Sequence, residues 1–130
     1  MIKHFQPNDT FPLPGLSAGV VVDGPCLFVS GQIALDASGA IVGKGDFQAQ
    51  AVQVMSNLEA VLRDGGATLR DVARINVYLS DRKHLAAWRE LRLTYFTEPF
   101  PASTLVIAQL ISPDLLIEVE AVAAVPRVQP

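Results

Sequence analysis

Between Phe100 and Ala123 the chain reads FPASTLVIAQLISPDLLIEVEAVA, two apolar runs joined by a Ser112-Pro113-Asp114 turn. From Ile117 the residues alternate. Ile117, Val119, Ala121 and Ala123 point to one face and Glu118 and Glu120 to the other, the period of a half-buried strand. The run before it behaves differently. Thr104 to Ile111 is apolar on both parities, so a strand there has two faces to cover. Whatever this chain folds into must seat one ordinary amphipathic strand beside one that is apolar on both sides.

The helical signals supply one cover. Asp46 is a suitable N-cap, and Phe47, Ala51, Val54, Leu58 and Val61 recur at helical spacing until Gly65-Gly66 ends the run. Ser80-Asp81 opens a second helix carrying Leu85, Trp88, Leu91, Tyr95 and Phe96 toward its packed side, stopped by Pro99 and Pro101. Trp88 and the Tyr95-Phe96 pair read as core anchors. Arg74 to Leu79 alternates cleanly as a strand. Gly19–Val22 and Leu27–Ser30, around Asp23-Gly24-Pro25, read as a hairpin, and Ala40 to Val42 as a short edge strand. Residues 1–15, with Pro7, Pro12, Pro14 and Gly15, read as an extended lead-in.

The order predicts one α+β domain over 1–130, with two helices on one face of a mixed β-sheet. Helices cover one face only. The second apolar face of residues 104–111 then calls for other copies of the chain, so the expectation is a homo-oligomer.

With 130 residues, 50% of them hydrophobic, the chain can bury a sizeable core, and a net charge of −3 gives no electrostatic footprint for nucleic acid. Arg82, Lys83, Arg89 and Arg92 gather on the second helix but interleave with apolar positions, as on a solvated face. No apolar run approaches the roughly 20 residues of a membrane span, and no signal peptide is evident. A soluble, cytoplasmic protein without membrane partners is expected. Cys26 stands alone in an apolar context and reads as a buried thiol. His4 and His84 have no metal-ligand spacing, so no metal and no cofactor is expected.

Three segments carry a resemblance. Phe28-Val29-Ser30-Gly31-Gln32-Ile33, the stretch from Gly45-Asp46 through Asn57-Leu58 to Gly65-Gly66-Ala67-Thr68-Leu69, and Phe100-Pro101-Ala102 followed by Ile117-Glu118-Val119-Glu120-Ala121 resemble the Rid (RidA/YjgF) family. The likeness runs from about Leu16 to Val125. It implies a chorismate-mutase-like fold and a homotrimer whose sheets form a central barrel, with three small-molecule clefts between subunits. It also implies hydrolysis of reactive 2-enamines and 2-imines to 2-keto acids and ammonia.

In that family an arginine directly after Phe-Pro-Ala holds the substrate carboxylate, and a glutamate on the last strand is associated with the attacking water. The resemblance places the glutamate at Glu118 and cleft-lining positions at Ser30 and Gly31. Ser103-Thr104 stands where the deaminases have Arg-Ser. Leu16 stands where they have a tyrosine, and Arg89 where they have an asparagine. Ser103 and Thr104 offer neutral hydrogen bonds in place of a charge-assisted clamp. The expectation is therefore a cleft that binds or hydrolyses another small metabolite. The alternative is a deaminase with a substitute cation, for which Arg89 is the candidate. Some members carry ribonuclease labels, but this sequence has neither a histidine acid/base pair nor a basic platform for RNA.

Overall fold

The computed structural model describes residues 2–126. Its strands are β1 (Ile2–Phe5), β2 (Gly19–Val22), β3 (Cys26–Gln32), β4 (Val72–Leu79), β5 (Ala102–Ile107) and β6 (Ile117–Ala124), with helices α1 (Phe47–Asp64) and α2 (Leu85–Arg92). The main sheet runs β3-β6-β4-β5, and β1 and β2 form a separate two-stranded ribbon. β6 is antiparallel to both of its neighbours, whereas β5 runs parallel to β4, reached through the α2 crossover. The α+β expectation, a mixed sheet with two helices on one face, holds.

Helix α1 forms where Asp46 accepts a hydrogen bond from the Ala49 amide at 3.1 Å, satisfying one of the donors a helix start leaves unpaired. Phe47, Gln50, Ala51, Val54, Met55, Leu58 and Leu62 make its buried stripe. At its end Gly66 takes φ +86, a left-handed conformation that suits glycine. The stripe packs in one cluster with Ile75, Val77 and Leu79 of β4 and Ile117, Val119, Ala121 and Ala123 of β6. Trp88 of α2 and Phe96 enter that cluster too, so both helices cover the same face.

Gln50 is the one fully buried polar side chain among the described residues. Its amide donates to the carbonyls of Gly43 and Asp114, and its oxygen accepts from the Leu116 amide. Burial without such partners would be unfavourable. With them, the side chain ties α1 to the turn that launches β6.

Several local expectations are corrected. β2 and β3 do not form a hairpin: β1 occupies the edge of β2, and β3 pairs with β6. The ladder to β6 even continues past Cys26, where Val125 donates to the Pro25 carbonyl at 3.0 Å. Ala40–Val42 contributes a single bridge, Leu35 with Ile41, because the Asp36 carboxylate gathers the amides of Ser38 and Ala40 into a tight turn. The second helix stops at Arg92, with Tyr95 and Phe96 beyond it. β5 stops at Ile107 and not Ile111: β4 ends at Leu79, whose carbonyl still accepts from the Ala108 amide at 2.9 Å, and residues 109–111 extend past it. Cys26 is exposed, since its parity on β3 puts it on the face that no helix covers.

Candidate functional site

The uncovered face of the sheet carries three rows of side chains, read from the strand registers. One row is Val106 of β5, Tyr78 of β4 and Glu118 of β6. The next is Thr104, Asn76 and Glu120, and the third is Ala102, Arg74, Val122 and Phe28. Strand β3 departs from regular pairing here: Val29 faces Ala121 and Gln32 faces Val119, so three steps on β3 match two on β6. That is a β-bulge, with Ser30 and Gly31 inside it.

The bulge brings Gly31 against Glu118. A Cβ built at Gly31 would overlap Glu118 Oε2, so the carboxylate rests where any larger residue would stand. Ser30, Gly31 and Glu118 therefore form one group. Glu118 has no hydrogen-bond partner among the described residues, leaving both oxygens able to take a proton from water or hold a donor. Beside it, Tyr78 donates to Glu120 Oε1, which also accepts from Asn76 Nδ2 at 3.3 Å. That hydrogen bond, then burial and the charge of Glu120, raise the Tyr78 pKa above its ordinary value and keep it a phenol.

The other predicted site residues lie elsewhere. Ser103 pairs with Ile75 and so faces the helices. Leu16 lies in the segment that bridges to β5, Ser17 opposite Ala102, where the Ser17 amide donates to the Pro101 carbonyl and its hydroxyl to that of Phe100. Thr104 is on the open face, exposed, beside Asn76. Ser103 is thus separated by the sheet from Glu118, Ser30 and Gly31 of the same chain. Leu16 also lines a cleft of about 640 Å³ with His4, Ser17, Glu98 and Phe100.

Arg89 is exposed on α2 and does not line the space beside Ser103. Arg92, one turn later, does. It borders a small cavity with Ser103, Trp88, Phe96, Phe100 and Gly15. At about 10 Å³ this cavity has room for a single water. Arg92 Nη2 donates to the Pro14 carbonyl at 3.1 Å, and its buried Nε has no partner among the described residues. A Cβ at Gly15 would overlap the guanidinium. Burial, then the charge of Arg89, lower the Arg92 pKa below its usual value.

Arg92, Tyr78, Asn76 and Arg74 were not singled out from the sequence. The last three had a legible signal, since they are the polar parity of the alternating strand 74–79. Arg92 had none beyond its place one helical turn after Arg89. Among the described residues no group of three or more His, Cys, Asp or Glu could hold a metal ion, and no helix is long and apolar enough to cross a membrane.

The profile of the family described as endoribonuclease L-PSP matches residues 10–125. A RutC family protein of Pyrococcus abyssi is 39% identical over 124 residues, covering 95% of this chain and 98% of that protein. The chain belongs to the L-PSP, or Rid/YjgF, family. Among solved structures, the Rid family protein YyfB of Yersinia pestis, of unknown function, superposes with a TM-score of 0.86 at 35% identity, covering 95% of this chain and 98% of that one. RidA from an Antarctic Psychrobacter gives 0.72 at 27% identity, with 95% and 99% covered. The Rid fold spans nearly the whole chain, so the bulge and the last strand of this member can be read in the family's frame.

Proposed function

We propose that this Rid protein is a cytoplasmic, single-domain homotrimer that binds or hydrolyses a small metabolite in clefts between its subunits, with Glu118 positioning water. One observation carries the reading. Glu118, Ser30 and Gly31 sit on the open face while Ser103 sits behind the sheet, so they can share a ligand with Ser103 only if it comes from a different copy. The exposed apolar side chains of Val106, Ile107 and Ile111 support contact between copies. A neutral Ser103 in the carboxylate-binding position makes an efficient 2-imino acid deaminase the weaker fit, since losing a charge-assisted contact costs about 1.5–3 kcal/mol.

A second reading, deamination with a substitute cation, is favoured by a guanidinium beside Ser103. The candidate is then Arg92 in place of Arg89. Neither reading requires a cofactor, a metal or nucleic acid.

The test is an imine-hydrolysis assay in which an amino-acid oxidase generates 2-imino acids and semicarbazide traps them. Inactive wild type with activity gained in Ser103→Arg supports the first reading. Wild-type activity lost in Arg92→Gln but kept in Arg89→Ala supports the second. A monomer by sedimentation velocity overturns the shared cleft.

A further inference from the structure

Glu118 lies against Gly31 at the place where the ladder between β3 and β6 is interrupted. Regular pairing resumes at Gln32 opposite Val119 and stops at Val29 opposite Ala121, so the residues that hold the carboxylate are the ones the ladder does not fix. Inside the bulge Gln32 Nε2 donates to the Ser30 carbonyl at 2.9 Å, a brace within β3 that does not reach β6. The offset between the two strands must be set from elsewhere.

Helix α1 packs on both strands. Its residues 50, 53 and 57 share one face by helical spacing, and all three side chains are amides. Asn57 Nδ2 donates to the carbonyls of Ile33 at 3.1 Å and Leu35 at 2.9 Å, in the chain that has just left β3. Its oxygen is taken up by Gln53 Nε2 at 2.8 Å, which leaves both N–H groups for that chain. Gln50 does the same for the other strand: its oxygen accepts from the Leu116 amide at 2.8 Å, and its nitrogen donates to the Asp114 carbonyl at 2.8 Å. Ile33 is two residues past Gly31, and Leu116 two residues before Glu118. Both backbones are thus referenced to one helix, two turns apart. Ile33 and Leu35 are half-buried, where water can satisfy a carbonyl; a side chain in its place fixes position as well.

We infer that Asn57 is a positioning residue for Glu118: it holds the exit of the bulge at a set offset from β6, whose entry Gln50 holds, and so keeps Gly31 beneath the carboxylate. Asn57 sits on the helix side of the sheet and acts through backbone. The inference rests on the reading of Glu118 proposed above for its use, and on these hydrogen bonds alone for its geometry.

The experiment reads Glu118 directly and needs no ligand. It follows the carbon-13 resonance of the Glu118 side-chain carboxyl in labelled full-length protein, assigned by its loss in Glu118→Gln. Asn57→Asp is isosteric, keeps an oxygen for Gln53 and loses both donors; Asn57→Ala removes the group altogether. Both are expected to move the resonance in the direction that Gly31→Ala moves it. Adding Asn57→Ala to Gly31→Ala is expected to change nothing further, since the two act through one contact. Gln53→Ala leaves the donors of Asn57 in place and is expected to leave the resonance where it is. In wild type the Asn57 side-chain amide protons are expected to exchange with water about tenfold more slowly than those of exposed Gln48, a measurement that stands if a variant does not fold. The inference fails if the Asn57 variants lower the melting temperature with the resonance unmoved, as a merely structural residue would. It also fails if the paired changes add, or if the Asn57 amide exchanges as freely as that of Gln48. A Glu118→Ala protein that keeps wild-type ligand binding and turnover sinks the proposed function and leaves this geometry standing; an unmoved resonance in the Asn57 variants does the reverse.

Discussion

Glu118 occupies its position because Gly31 has no side chain. The overlap that a Cβ would make is with the far end of a flexible glutamate, not with backbone, so Gly31→Ala displaces the carboxylate while leaving the sheet intact. The variant is expected to melt within about 1 kcal/mol of wild type and to lose whatever ligand binding or turnover Glu118→Ala loses. Comparing both variants in one binding assay checks this. A Gly31→Ala protein with full function would show that Glu118 acts from another position. His84 gives a second prediction. It stacks on Phe47 at 4.7 Å between ring centroids, and burial, then the charge of Lys83, lower its pKa below 6.5. The unfolded chain then binds the proton more readily than the folded one, so this contribution to stability is complete above about pH 6.5 and lost as pH falls. Denaturant titrations from pH 7.5 to 5 should show declining stability, with a shallower slope in His84→Phe.

At the scale of elements, α1 depends on its first turn. Asp46→Ala removes the acceptor for the Ala49 amide and is expected to lower stability by about 1 kcal/mol, measurable by urea denaturation. Helix α1, β4 and β6 were legible because each repeats one period long enough to identify it. The hairpin was misread for a physical reason: strand partners are chosen by long-range competition that four-residue apolar runs do not encode, and the edge of β6 outbid the neighbouring run. Gln50 went unnoticed although it falls on the buried stripe, three residues after Phe47 and four before Val54. A polar residue at such a place announces an interior hydrogen-bond network. The candidate site was half legible. Alternation gave the face of Glu118 and Glu120, and likeness gave Ser30 and Gly31. Nothing local marks that Ser103 turns to the helices while Thr104 does not, since that parity is set by pairing with β4.

For the whole molecule, the proposed contact between copies would fall on the open sheet face and the 106–111 segment. Val106 and Ile107 are each 42% exposed and Ile111 88%, more apolar surface than a monomer is expected to leave in one segment. Val106→Asp places a charge on this surface. It is expected to shift wild-type oligomer to monomer or to prevent folding, whereas Glu118→Ala leaves assembly unchanged. Sedimentation velocity on both, with circular dichroism to report folding, decides it; an assembled, folded Val106→Asp protein would move the interface elsewhere. The bulge at Ser30-Gly31 has a consequence of the same reach. Upstream of it Leu27 and Val29 share the core side of β3; downstream the core position is even-numbered, at Ala34. The extra residue works as a reading-frame shift in the alternation. Deleting it would swap inside for outside along Cys26–Val29, driving Phe28 toward α1 and expelling Val29, so this strand can lose a residue there only if another is gained nearby.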